Sequence, residues 1–371
     1  MATERLSASE EAKLAELARA LVDPTATRTI IAPKEAASGF WFGGGNMIED
    51  DDGVLYIVGR YRNAGDSRTG VETGERGLEL AIFRSDDRGA TFEKVVRFDK
   101  ASLDVGDRTV LSIEGSALRR TESGVELFVS TEKANIGYPA GFESYLKQGT
   151  GVWTIDQLRA DTIERLVDAP IRTVLASDNP EVMHYKDPFV YDAGNGALTL
   201  LWCTHPYCWS SSNTALAVRC SDGDEFGTAD TRFFPRGNTW DVAMTRGTCV
   251  VDVPRVGAFA DRQVSLMFYD GGECLRDLEQ HTAAVKRPRG YSCEEVGGVA
   301  YIVNRQRRTI TRLSRHEPWF ISPHGTGCCR YVDVHASRDA FFVTWQQSQD
   351  DLSQPLVMNV VDREQVEKIL A

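Results

Sequence analysis

Met183-His184-Tyr185-Lys186-Asp187-Pro188-Phe189-Val190-Tyr191 sets a carboxylate and a proline at the head of an apolar, β-favouring run. Proline brings no N–H to a sheet ladder, so it opens a strand or sits on an edge rather than inside a central strand. Asp187 is therefore expected where a loop becomes a strand, with its side chain turned toward a cavity. Outward from this point the same layout returns at residues 43–48, 112–117, 241–246 and 330–335. Each opening holds a polar or charged residue beside small ones. A turn follows, then a strongly apolar strand, at 54–61, 125–131, 197–204, 263–269 and 340–346, and a further strand after it. Short strands with closely spaced turn signals allow a sandwich, a barrel or a propeller. The repeat selects among them: the chain is expected to be an all-β, five-bladed β-propeller with each opening as the innermost strand of a blade.

The two ends break this pattern. Ser7 with Glu10 fits a capping box, and Leu14, Leu17, Ala18 and Leu21 fall on one helical face before Pro24. Residues 362–370 read as a short terminal helix capped by Asp362. Residues 1–39 are thus a helix with its lead-in, and 40–371 a single propeller catalytic domain. A blade closed by strands from both ends of the chain is compatible with this pattern.

With 371 residues, 42% of them hydrophobic and 26% charged, the chain can bury a large core. A net charge of −12 argues against nucleic acid as the main partner, because phosphate binding needs a basic face. No apolar run approaches the roughly 20 residues of a membrane helix, and the first residues lack the layout of a secretory signal. The chain reads as cytoplasmic, with no membrane partner. Its eight cysteines form no Cys-x-x-Cys pair, and buried free thiols are expected.

Ser85-Asp86-Asp87-Arg88-Gly89-Ala90-Thr91-Phe92 resembles the Asp box of sialidases and related propellers, with Phe92 in place of Trp. The resemblance implies a turn between outer strands, away from any active site, so Asp87 is expected to bond turn backbone.

Propeller geometry nominates the site. Innermost strands start at one face of the central channel, and the antiparallel second strands end at that face. Strand starts supply Asn46, Glu114, Asp187, Asp241 and Arg330. Strand ends supply Arg60, Arg62, Glu132, Lys133, His205, Tyr207, Asp270, Glu273, Gln346 and Gln347. Hydrolysing a glycosidic bond needs one carboxylic acid for the leaving oxygen and a second carboxylate as base or nucleophile. Asp187, Glu273, Glu114 and Asp241 are the catalytic candidates. Asn46, Arg60, Lys186, His205, Tyr207, Trp240, Arg246 and Arg330 are the candidates for binding an oligosaccharide. Trp209 and Trp240 either stack on a sugar ring or pack between blades. The arginines either bind an acidic sugar or neutralise nearby carboxylates. Cys203, His205 and Cys208 lack the four-ligand spacing of a structural zinc site, so no metal is expected. No phosphate loop or dinucleotide fingerprint is present, and no cofactor is expected.

The layout resembles the five-bladed propeller glycosidases, which include arabinanases, xylosidases and invertase-type fructosidases. That group carries an Asp-Pro motif at a strand start, as Lys186-Asp187-Pro188 does, and Glu273-Cys274 looks like the Glu-Cys pair of the invertase-type enzymes, whose Glu is the acid. The resemblance implies three acidic residues lining a funnel. Here Asn46 stands at the usual first-blade Asp position, the Asp-Pro falls in the third blade and Glu273 in the fourth. A propeller polysaccharide lyase acting on uronates, with His205 and Tyr207 abstracting a proton, fits the same residues, as does a non-catalytic glycan-binding propeller. The sugar, the linkage and the oligomeric state are not readable from the sequence.

Overall fold

The computed structural model describes residues 5–63, 77–192, 197–220, 224–273, 281–283, 294–305 and 310–371, leaving aside the side chains of Asp192 and Glu273. A helix α1 (Ala8–Leu21) and a strand β1 (Arg28–Ile31) lead into the first blade: β2 (Trp41–Gly43), β3 (Met47–Glu49), β4 (Leu55–Arg62), β5 (Glu79–Ser85) and β6 (Glu93–Asp99). The second blade is β7 (Val110–Thr121), β8 (Gly124–Lys133), β9 (Val152–Ala160) and β10 (Ile171–Leu175). The third is β11 (His184–Asp192), β12 (Leu198–His205), β13 (Asn213–Arg219) and β14 (Asp230–Phe234). The fourth is β15 (Thr245–Asp252), β16 (Val264–Glu273), β17 (Glu294–Val303) and β18 (Ile310–Arg312). The fifth is β19 (Cys329–Ala336), β20 (Ala340–Gln347) and β21 (Leu356–Asp362), followed by α2 (Arg363–Leu370).

The first strands of successive blades touch in the order β3, β7, β11, β15, β19 and back to β3, which closes a ring. This is the five-bladed propeller that the repeat implies. Strand β1 pairs antiparallel with β21, so the fifth blade takes its outermost strand from the other end of the chain. That pairing makes the ring's closure a contact between residues more than 300 apart (Arg28 opposite Met358).

Second strands are buried along their whole length, as residues packed between two neighbouring blades must be: β4, β12 and β20 have no exposed position. Trp153, Trp202 and Trp345 are among the largest fully buried side chains. The capping box of α1 is formed, with the Glu10 N–H donating to Ser7 Oγ at 3.2 Å and the Ser7 N–H to Glu10 Oε2 at 2.7 Å. Leu14, Leu17 and Leu21 of α1 join Val366 and Leu370 of α2 and Phe259, Phe341 and Val343 in one apolar cluster. Burying each such leucine contributes roughly 1.5–3 kcal/mol, so both helices are fixed to the outside of the fourth and fifth blades. Asp362 occupies the N-cap position of α2 but makes no side-chain capping bond, contrary to the sequence expectation.

Asp87 bonds its own turn: it accepts from the Thr91 N–H at 2.9 Å, from Thr91 Oγ1 at 2.6 Å and from Ser85 Oγ at 2.8 Å. Hydrogen bonds from Thr91 and Ser85 hold its carboxyl well below the usual range. Among the described cysteines, Cys203, Cys249, Cys328 and Cys329 are buried free thiols, whereas Cys208 and Cys220 are exposed. Cys274 and Cys293 lie outside the described residues. No described helix is long and apolar enough to cross a membrane.

One buried carboxyl makes stability depend on pH. Asp333 of β19 accepts from the Met47 N–H at 2.8 Å, and burial pushes its pKa up to about 7. The folded state therefore keeps a proton that the unfolded chain has already lost near its ordinary value. Its contribution is complete at low pH and disappears as pH rises toward 7, at about 1.4 kcal/mol per pH unit. Asp333→Asn is expected to flatten the fall in unfolding free energy between pH 4 and 7, measured by urea denaturation across that range. Parallel curves for variant and wild type would remove Asp333 from this role.

Candidate active site

The inner strands of three blades are broken at the same height by two-against-one bulges. On β7, Glu114 and Gly115 face only Ser130; on β11, Asp187 and Pro188 face only Trp202; on β19, Tyr331 and Val332 face only Trp345. A bulge re-aims the side chain of its extra residue. Glu114, Asp187 and Tyr331 thus hold equivalent places in the second, third and fifth blades. In the first blade the inner strand is interrupted between Gly43 and Met47, and in the fourth Thr248 is the unpaired residue.

Two of these positions are strained. Asp187 sits at φ 53° and Tyr331 at φ 56°, in the left-handed region that L residues avoid. Neighbouring blades hold both backbones: the Asp187 N–H donates to Ser130 Oγ at 3.1 Å, and the Tyr331 N–H to both Asp270 oxygens at 3.1 Å. Gly115 permits the close approach of blades two and three. A Cβ there would stand 2.6 Å from Asp187 Oδ1 and 2.8 Å from Asp187 Cα.

Around these bulges, carboxylates and cations from all five blades interlock. Asp187 Oδ1 accepts from the Gly115 N–H at 3.1 Å and Tyr331 OH at 3.3 Å, and Oδ2 from Arg246 Nη1 at 3.4 Å and Cys203 Sγ at 3.5 Å. Arg246 also donates to Asp270 Oδ2 at 2.7 Å and to Glu295 Oε2 at 2.5 Å. Arg330 donates to Glu295 Oε2 at 2.6 Å. Arg60 grips Glu114 Oε2 at 2.8 and 3.0 Å, and Lys186 Nζ lies 3.5 Å from Glu114 Oε1. Trp41 lies under the Arg330 guanidinium and Trp153 under Lys186 Nζ, at 4.3 and 4.4 Å. An axial opening is lined by Gly44, Gly45, Asn46, Ser116, Asp187, Pro188, Phe189, Gly247, Thr248 and Tyr331.

These contacts divide the carboxyls into two classes. Burial opposes ionisation of Glu114 and Glu295, but the adjacent Lys186 and Arg60, and Arg246 and Arg330, outweigh it and hold both well below the usual range. Asp270 is fully enclosed, and burial pushes it up to about 6 despite its bonds to Arg246. His184 and His205 are neutral for the same reason. Burial, followed by the Lys186 charge, takes His184 down to about 3 and His205 well below its ordinary value.

Of the residues nominated from the sequence, Glu114, Asp187, Arg60, Lys186, Arg246 and Arg330 are brought together. His205 is buried behind them and is linked to Asp187 through Cys203, whose Sγ is 3.4 Å from His205 Nε2 and 3.5 Å from Asp187 Oδ2. Tyr207 belongs to a rim of aromatics with Phe142 and Tyr145, at centroid distances of 4.8 and 4.9 Å. Asn46 lines the axial opening, but its amide is committed to the backbone of Leu118 in both directions, at 2.7 and 2.9 Å.

Asp241 and Trp240 are not in this group. The fourth inner strand begins at Thr245, so Asp241 precedes it instead of opening it. Asp241 packs on Gly271, the opposite face of β16 from Asp270, because successive strand residues alternate faces. It is bound by Arg312 at 2.6 Å, and Trp240 is fully buried against Tyr269. Glu273 closes β16, opposite Glu294, and its side chain lies outside the described residues, as does Cys274. Glu295 and Tyr331 were not nominated. Glu295 is the second residue of a third strand, a position that the two-strand reading of the site face did not search, and Tyr331 stands beside Arg330 with only its polar ring as a signal.

No family model matches the chain, and no curated protein matches it in sequence. Its fold recurs in solved structures at low identity. The α-L-arabinofuranosidase from Lactobacillus brevis superposes with a TM-score of 0.55 at 9% identity, covering 92% of each chain. The GH43_1 enzyme from Xanthomonas citri, complexed with xylose, gives 0.52 at 11% identity over 94% of this chain and 92% of that one. A β-1,2-mannobiose phosphorylase from Listeria innocua, complexed with β-1,2-mannobiose, gives 0.53 at 11% over 94% and 97%. The structural neighbours thus include glycoside hydrolases, and the likeness is one of fold.

Proposed function

We propose that the protein is a glycoside hydrolase that cleaves a terminal glycosidic bond of an oligosaccharide with paired carboxylates. The observation that carries this reading is the convergence of Glu114, Asp187 and Glu295, from three blades, beside Arg60, Lys186, Arg246 and Arg330. Asp187 serves as base or nucleophile, facing the axial opening. Glu273 serves as the general acid, a role that rests on the likeness of Glu273-Cys274 to the Glu-Cys pair of the invertase-type enzymes and on its place in the last position of β16. Glu114, kept ionised by Lys186 and Arg60, favours positive charge developing on the sugar ring. Lys186 and the rim aromatic Tyr207 bind the sugar.

Each of Arg60, Arg246 and Arg330 is bonded to at least one carboxylate, which favours a neutral sugar over an acidic one. The experiment is a screen of aryl glycosides, furanosides and uronides against the wild type, Asp187→Asn and Glu273→Gln, with and without inorganic phosphate. Phosphate-independent release by the wild type, lost in both variants, is expected. Release that requires phosphate would assign phosphorolysis, and an ultraviolet-absorbing unsaturated product would assign a lyase. Undiminished activity in both variants would end the carboxylate mechanism.

A further inference from the structure

We infer that Tyr331 is a positioning residue of the catalytic site, whose hydroxyl fixes the Asp187 carboxylate from across the channel. The inference rests on the hydrolase reading and adds a group to it. Three blades carry the same bulge at the same height, and two of them present the carboxylates Glu114 and Asp187. The third presents Tyr331.

The surroundings of Tyr331 are built to aim it. Its backbone stays in the left-handed region because both oxygens of the buried Asp270 accept its N–H, at 3.1 Å. Its ring lies under the Arg246 guanidinium, 3.9 Å from the centroid. A phenylalanine would satisfy that stacking, so packing alone does not call for a hydroxyl. The hydroxyl donates to Asp187 Oδ1 at 3.3 Å and accepts from Arg60 Nη2 at 3.5 Å, and Arg60 is the residue that grips Glu114. Tyr331 therefore joins the two carboxylate positions through one phenol.

The direction of the bond matters as much as its existence. Gly115 and Cys203 hold Asp187 from the second and third blades, and Arg246 from the fourth. Tyr331 is the donor from the fifth. Without it Asp187 Oδ1 keeps one donor, the Gly115 N–H, and the carboxylate's angle about its Cβ–Cγ bond is set less tightly, by Gly115 on one oxygen and by Arg246 and Cys203 on the other. A reacting group that loses its angular restraint loses rate far more than it loses substrate binding.

The test is Tyr331→Phe, which keeps the ring and removes the hydroxyl, assayed beside Asp187→Asn on the glycoside found by the screen. A fall in kcat of about 10- to 100-fold is expected, the size of a lost hydrogen bond to a charged group. KM should change less than about twofold and the thermal midpoint should hold, since binding and packing are untouched. A carboxylate that loses a donor takes up its proton at higher pH, so the acid limb of the variant's kcat profile should move upward. Wild-type kcat in Tyr331→Phe, with Asp187→Asn inactive, overturns the inference and leaves the hydrolase reading standing. Full activity in both variants removes the hydrolase reading and this inference with it. A Phe variant that loses its fold, or loses activity equally at every pH, makes the hydroxyl structural and likewise overturns the inference.

Discussion

Asp187→Asn is expected to lower kcat by roughly 10³-fold or more while the protein stays folded, a loss in the range of a removed acid–base or nucleophilic carboxylate. Asparagine has nearly the shape of aspartate, so the bulge on β11 can persist. Its carbonyl can still accept from Gly115 and Tyr331. Its amide nitrogen, however, would meet Arg246 Nη1, a donor, where Asp187 Oδ2 now accepts at 3.4 Å. Arg246 remains anchored by Asp270 and Glu295, so the network survives the change. Activity and stability are thereby separated: kcat on the screened glycoside should collapse, and the thermal midpoint should move little. A variant that keeps more than a tenth of wild-type kcat would remove Asp187 from the chemistry.

Arg246→Met is expected to cost about 3–5 kcal/mol of unfolding free energy, because it strands buried carboxylates without their counter-charge. Arg246, 1% exposed, bonds Asp270 and Glu295 and touches Asp187 through its guanidinium. Methionine fills similar space, so the loss reports charge and not a cavity. Glu295 keeps Arg330, but Asp270 keeps only the Tyr331 N–H among the donors named here. The sign of the pH dependence follows from Asp270, which burial already raises to about 6 in the folded protein. Without Arg246 the folded state favours its proton still more. Stability of the variant should then be least impaired at low pH and fall more steeply than wild type as pH rises. Urea denaturation at pH 5 and pH 8 reads this directly. A difference under about 1 kcal/mol at both pH values, the worth of an exposed pair such as Arg88 with Asp339, would show that Arg246 is replaceable.

The hydrolase reading and the Tyr331 inference depend on different links. The first needs carboxylates from several blades to meet at one end of the channel, and the second needs one hydroxyl to restrain one of them. Arg246 touches both, through Asp187 and through the Tyr331 ring.

Much of the fold was legible in the chain because it is written in local signals. The second strands at 54–61, 125–131, 197–204, 263–269 and 340–346 became β4, β8, β12, β16 and β20 within a few residues, since apolar runs between turns report burial directly. The openings at 112–117, 185–190 and 330–335 fell on inner strands, and with them came Glu114, Asp187 and Arg330. The opening at 241–246 was misplaced by four residues, because Asp241 sits among small residues much as Asp187 does, and composition does not record where β15 starts pairing.

By itself, then, the sequence determined the number of blades, the terminal helices and the inner-strand places of Glu114 and Asp187, all of which follow from the spacing of apolar and turn residues. Tertiary structure alone decided which side chains point into the channel, since a bulge is defined by the partner strand. It alone also decided that β1 completes the fifth blade, that Arg246 serves three carboxylates and that Tyr331 reaches Asp187. These are contacts between residues dozens to hundreds of positions apart, and the forces that set them, burial and charge at a few ångströms, have no trace in local periodicity.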